Sequence, residues 1–203
     1  MYYGALEAGG TKMVCAIGDA DKNIIDRISI PTGTPDQSLP AMIDYFKKYD
    51  ISALGIGTFG PADINPNSPT YGSIMRSPKK DWEGFSLYKA FTDALGCLVV
   101  VDTDVNAAAW GEYLYGALKG LNSGMYLTVG TGIGGGIISD GRLIHGMEHP
   151  ETGHILIPRR TGDDIPCTCR FHQSCVEGLA SGPMLERRTG TVSYTHLTLP
   201  TIA

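Results

Sequence analysis

Cys167, Cys169 and Cys175 fall within nine residues, with His172 among them. The Cys-x2-His-x2-Cys spacing over 169–175 is metal-ligand spacing, and His154 upstream can close a tetrahedral Cys2His2 shell around zinc. Cys167 competes for one place in that shell, in exchange for a histidine. Four protein ligands describe a structural zinc with no open position for water chemistry. The N-terminus, MYYGALEAGG, has neither a basic start nor an apolar stretch of signal-peptide type. A cytoplasmic protein is therefore expected, in which clustered cysteines bind metal rather than form disulfides. Cys15 and Cys97 lie in apolar, strand-like runs and read as buried thiols.

A second constellation is Asp102-Thr103-Asp104-Val105-Asn106, where a strand passes into a helix. A carboxylate there lies at the positive end of the helix dipole, which favours its ionised form. Either Asp102 or Thr103 can cap the helix, which leaves Asp104 free. An ionised Asp104 can take a hydroxyl proton as that hydroxyl attacks a phosphoryl group.

The third constellation is glycine. The chain holds 27 glycines in 203 residues, and they cluster. Gly55, Gly57 and Gly60, and again Gly130, Gly132 and Gly135, match the G-x-G-x-x-G pattern of dinucleotide folds. That fingerprint requires a helix directly after the turn. Gly60 is followed by Pro61 and a proline-rich loop, and Gly135 by a strand, so a nicotinamide cofactor is not expected. No lysine follows a glycine, so no Walker A loop is present. What remains is a pair of glycine turns, 9–12 and 130–136, one in each half of the chain. Glycine lets backbone N–H groups converge on phosphate oxygens, and Thr11, Lys12 and Thr131 add donors. The two turns read as a cradle for nucleotide phosphates.

These residues need elements to carry them. Strands are expected over 2–7, 13–18 and 23–30, then a helix over 35–48. Its Leu39, Met42, Ile43 and Phe46 share one face at i, i+3, i+4, i+7 spacing. A buried strand over 52–58, a proline-rich loop, a helix over 86–95 and a strand over 97–102 follow, and a helix opens near Asp104. The polar stretch Gly116–Gly124 marks a domain boundary. Beyond it come a strand over 125–130, the glycine run as a turn, and strands 137–139 and 142–146 around the Asp140-Gly141 turn. The Cys/His loop and a helix over 177–188, interrupted at Gly182-Pro183, complete the pattern. Domains are thus expected over 1–118 and 119–190. At 42% hydrophobic content the chain can bury a core. A net charge of −5 without a Lys/Arg cluster argues against nucleic acid, and no apolar run is long enough for a membrane span.

Taken in order, Glu7-Ala8-Gly9-Gly10-Thr11-Lys12, Gly57–Pro61, Asp104–Asn106 and Gly130–Gly136 resemble the motifs of ROK sugar kinases. So do Glu151-x-Gly153-His154 and the loop ending in Cys175-Val176-Glu177. The resemblance covers residues 2 to about 190 and is strongest to the family's zinc-containing bacterial fructokinases. It implies an α/β, actin-like ATPase (ribonuclease H-like) fold with two domains around a cleft, the second incomplete. It implies ATP-dependent phosphorylation of a hexose with Mg2+, fructose to fructose 6-phosphate first, ahead of mannose, glucose and N-acetylmannosamine. The family's base falls on Asp104, and its ATP contacts on Gly9, Gly10, Thr11, Lys12, Gly130, Thr131, Gly132 and Gly134. Its sugar ligands fall on Gly60, Asn106, Glu151, His154 and Glu177. His154 then serves twice, with one ring nitrogen on zinc and the other toward the sugar. A homodimer is expected of the full-length protein. Members of the family are longer. The segment TVSYTHLTLPTIA, from Thr191, has no counterpart and reads as a non-native or disordered tail of translated adapter sequence. The part missing here carries helices of the second domain and the segment that holds the adenosine, so this chain is expected to be a poorly active kinase. Two other readings are a non-catalytic sugar- and zinc-binding fragment and a sugar-responsive repressor. The repressor needs an N-terminal helix-turn-helix and is not expected.

Overall fold

The first strand, β1 (Tyr2–Ala8), buries Gly4, Leu6 and Ala8 and turns Tyr3, Ala5 and Glu7 outward. That period of two is what a sheet face in contact with a core imposes. In the computed structural model, which describes residues 1–77, 79–146 and 149–191, β1 pairs antiparallel with β2 (Lys12–Asp19). The latter pairs in turn with β3 (Ile24–Pro31). On its other side β1 runs parallel to β4 (Ile51–Thr58), and β4 parallel to β5 (Leu98–Thr103). The five-stranded order is β3-β2-β1-β4-β5. Residues 192–203, which hold nearly all of the expected tail, lie outside the described residues.

Parallel neighbours need crossover connections, and two helices supply them. Helix α1 (Pro35–Phe46) starts on Thr34, whose backbone N–H donates to Gln37 Oε1 at 3.1 Å, with proline in the first turn. Helix α2 (Leu87–Leu95) is capped by Ser86, which accepts from Lys89 N, and ends on Gly96 at φ 65°. Phe46 of α1 meets Phe91 of α2 edge-on, with ring centroids 5.9 Å apart. Both rings are fully buried with Met13, Ile17, Leu54 and Ile74.

Helix α3 (Asp104–Tyr115) follows β5 directly. Beyond it, β6 (Gly124–Val129), β7 (Ile133–Ser139) and β8 (Arg142–Leu143) form an antiparallel sheet in chain order. Asp140 and Gly141 both have positive φ, 49° and 72°, as the two-residue turn between β7 and β8 requires. A 3-10 turn over Thr152–His154 and two short helices, α4 (Val176–Ala180) and α5 (Gly182–Thr189), complete this part. The chain divides into two compact units. The first holds Met1–Ala108 with His145 and His149; the second holds Ala109–Ile144 and the chain from Pro150 onward. The division falls inside α3, upstream of the polar stretch where the sequence places a boundary.

The glycine run differs from its expectation as a turn from Gly130 to Gly136. The turn is confined to Gly130–Gly132, and Gly134, Gly135 and Gly136 lie within β7, opposite Thr128, Leu127 and Tyr126. The reason is close packing: a Cβ on Gly135 would sit 2.5 Å from Thr152 Oγ1 and 3.0 Å from Leu127 Cδ2. These glycines let another segment lie against the strand rather than bend it.

Candidate active site and metal centre

In the first unit the three parallel strands end in register. Glu7 lies beside Gly57, and Gly57 beside Asp102; the next row is Ala8, Thr58 and Thr103. The carboxyl edge of parallel strands is where open α/β sheets place their chemistry. Helix α3 rises from this edge. Thr103 Oγ1 accepts from Asn106 N at 3.2 Å and so caps it, leaving Asp104 as its first residue. A Cβ on Gly57 would come within 2.9 Å of Ala107 Cβ and 3.3 Å of Asp104 Cα, so this glycine sets how closely α3 approaches β4.

Asp104 Oδ1 accepts from Val105 N at 2.8 Å. Burial pushes the Asp104 carboxyl above the ordinary carboxylate range; the Val105 N–H opposes this, the negative charge of Glu7 adds to it, and His149 opposes it. Asp102 is held by three short contacts. Its Oδ1 accepts from Thr103 N and Asn106 Nδ2, and its Oδ2 meets His145 Nε2, all at 2.7 Å. Asn106 is fully buried, and its Oδ1 has no hydrogen-bond partner. Gly60 stands against His149, whose Cε1 would lie 3.2 Å from a Cβ there. The turn over 9–12 is closed by a bond from Gly9 N to Lys12 O and tied down by Thr32 Oγ1, which donates to Gly9 O. Thr11 and Lys12 at its tip are exposed.

In the second unit the Gly130–Gly132 turn is closed by Gly130 N on Gly132 O at 2.9 Å. Glu177 Oε2 accepts from Ile133 N at 3.0 Å and lies 2.6 Å from where a Gly132 Cβ would be. The turn and the Glu177 carboxylate therefore form one hydrogen-bonded piece, with Thr131 exposed beside them. Glu151 precedes the 3-10 turn and accepts at its backbone oxygen from His154 N. A Cβ on Gly153 would fall 2.0 Å from Ile133 O, a backbone atom that cannot step aside. Gly153→Ala is expected to cost about 1–3 kcal/mol, as overpacking does, read as a lower midpoint in urea unfolding.

His154, Cys169, His172 and Cys175 gather here, one ligand atom from each lying within 4.8 Å of the others. Cys169 Sγ is 3.8 Å from His154 Nδ1 and 3.6 Å from His172 Nδ1, and Cys175 Sγ is 3.8 Å from His154 Nδ1. Zinc bonds of ordinary length at tetrahedral angles separate a sulfur from a nitrogen by about 3.6 Å, so the set fits that ion. Burial raises the Cys175 thiol and Cys169 adds to the effect, a cost that a bound cation would offset. Cys175 also caps α4, its Sγ accepting from Gly178 N. Cys167 is not in the group; its Sγ packs where a Cβ of Gly178 would be.

Sequence reasoning singled out neither His145 nor His149. The first unit's site draws on both, and only a non-local contact reveals them. Among the described residues no helix is long and apolar enough to cross a membrane.

The chain is 46% identical over 191 residues to the fructokinase of Lactococcus lactis subsp. cremoris, covering 94% of this chain and 65% of that protein. It is 44% identical over 190 residues to the fructokinase of Pediococcus pentosaceus, covering 94% and 66%. Among solved structures, a ROK family glucokinase from Streptomyces griseus, in complex with glucose and AMPPNP, superposes with a TM-score of 0.71 at 31% identity. That match covers 92% of this chain and 59% of the glucokinase. The chain thus spans about two thirds or less of the length of these relatives and carries part of their actin-like ATPase fold. The ROK family model matches residues 3–202, and with the strand-end site and the Cys/His centre in place, the chain belongs to the ROK family.

Proposed function

We propose that this protein transfers the γ-phosphoryl group of ATP, as its magnesium complex, to a hydroxyl of a hexose, fructose first, in the cytoplasm. The observation that carries the reading is at the start of α3. There the Asp104 carboxyl stands two residues from a buried amide oxygen, Asn106 Oδ1, that has no partner. A sugar hydroxyl could donate to that oxygen, while Asp104 takes the proton of the attacking hydroxyl. The raised affinity of Asp104 for a proton suits a general base better than an ordinary aspartate would. The fructokinase relatives favour fructose among the hexoses.

In this reading Gly9, Gly10, Thr11 and Lys12, with Gly130, Thr131, Gly132 and Gly134, present donors to the ATP phosphates. The negative phosphates meet backbone N–H groups at both turns. Gly60, Asn106, Glu151, His154 and Glu177 hold the sugar. His154, Cys169, His172 and Cys175 hold zinc, which supplies a fixed anchor for the His154 ring through Nδ1. Nε2 of His154 is then left for a sugar hydroxyl, in one tautomer and one orientation.

The test is ADP release by the purified chain, and by the same protein at full length, with Mg2+, ATP and each of fructose, mannose, glucose and N-acetylmannosamine. Fructose is expected to give the highest kcat/KM. ADP release with none of them sinks the kinase reading. Sugar binding without turnover selects instead the non-catalytic sugar- and zinc-binding reading.

A further inference from the structure

We propose that His145 is a positioning residue for the Asn106 amide, acting through Asp102. This rests on the reading of Asn106 as a sugar ligand.

The argument starts from what each group can donate. An ionised carboxylate only accepts hydrogen bonds. Nε2 of His145, 2.7 Å from Asp102 Oδ2, must therefore carry the proton. By the same rule the amide of Asn106 must turn its NH2 toward Asp102 Oδ1, also at 2.7 Å. The carbonyl oxygen of that amide then points away from Asp102. There it is fully buried and without a protein partner, an acceptor still open to a donor. The amide orientation, and with it the choice of acceptor over donor, is thus set by the carboxylate.

His145 keeps that carboxylate in place. Oδ1 of Asp102 is held by Thr103 N and Asn106 Nδ2, and His145 Nε2 is the side chain on Oδ2. Asp102 is only 22% exposed, whereas His145 is 41% exposed. Without the imidazole N–H, Oδ2 loses a charge-assisted partner. The carboxyl can then rotate, which lets the Asn106 amide flip and offer N–H groups where a sugar O–H needs an acceptor. All of these groups belong to the first unit.

His145→Ala is expected to weaken fructose binding roughly tenfold by calorimetry, the loss of about one hydrogen bond to a charged group. The loss appears in Kd and KM, with kcat falling by a smaller factor. His145→Gln, whose amide nitrogen can reach where Nε2 stood, is expected to restore most of the affinity. In 15N spectra the side-chain amide protons of Asn106 are expected to exchange slowly in the parent, faster in His145→Ala, and slowly again in His145→Gln. Fructose affinity in His145→Ala within about twofold of the parent, less than one such bond, overturns the proposal. So does an equal loss in both variants, which marks a merely structural clasp. A parent protein that binds no hexose is a failure of the proposed function instead. The Asn106 signals need no sugar, and unchanged exchange in His145→Ala would then still refute the ordering of the amide.

Discussion

Asp104→Asn is expected to lower kcat of the full-length enzyme by at least about 10²-fold, within the usual range for a general base. Fructose affinity is expected to change little, because the amide keeps the size and the hydrogen-bonding reach of the carboxyl. Turnover close to the parent's would remove Asp104 from the reaction. The same residue sets a pH signature. Because burial and Glu7 raise the Asp104 carboxyl, the acid limb of kcat/KM is expected above the ordinary aspartate value of about 3.9. Glu7→Gln removes a negative charge that favours the protonated form, so it is expected to move that limb downward. Stability responds with the opposite sense. A carboxyl whose folded-state value is raised contributes stability while protonated and loses it as pH rises through that value. Near pH ~7 the ionised Asp104 is therefore a cost that Asn does not carry. Asp104→Asn is expected to melt higher than the parent there, with the difference closing toward pH ~4.

Removing the metal is expected to have the second large effect. Protein purified without chelator is expected to hold one zinc per chain by elemental analysis. Cys169→Ser is expected to lose it, and Cys167→Ser to keep it, since Cys167 stands outside the ligand group. Zinc contributes an apparent ~10–16 kcal/mol in small zinc domains, more than many domains' whole stability. The loop that carries His154, Cys169 and His172 has few regular elements of its own. Chelation is therefore expected to abolish amide-exchange protection from Thr152 to Leu179. Metal loss in Cys167→Ser together with retention in His172→Ala would overturn this ligand set.

Much of the first unit was legible in the sequence because its signals are local. The apolar face of α1, read from Leu39, Met42, Ile43 and Phe46, reports on a few neighbouring residues. The strand-to-helix passage at Asp104 was legible for the same reason, down to a choice of two caps that the fold resolves in favour of Thr103. The glycine run was misjudged in extent. A glycine that bends the chain and one that admits a neighbour look alike in sequence, and only Thr152, seventeen residues on, tells which Gly135 is. His145 was invisible for a stronger reason. Its partner Asp102 lies 43 residues away, and a lone histidine after a hairpin carries no pattern of its own.

The placement of the five cysteines makes the metal centre readable by thiol chemistry. Cys15 is sealed in the core, while Cys97 and Cys167 are half-buried and lie outside the ligand group. In zinc-loaded protein, Cys169 and Cys175 would be coordinated and slow to alkylate, so a reagent added to the folded chain is expected to reach Cys97 and Cys167 first. Chelation releases the two thiolates and raises the reactive count. A double variant with Cys97 and Cys167 replaced by serine would thus be a sensor of its own occupancy: silent when loaded, and labelled only where the ion has left.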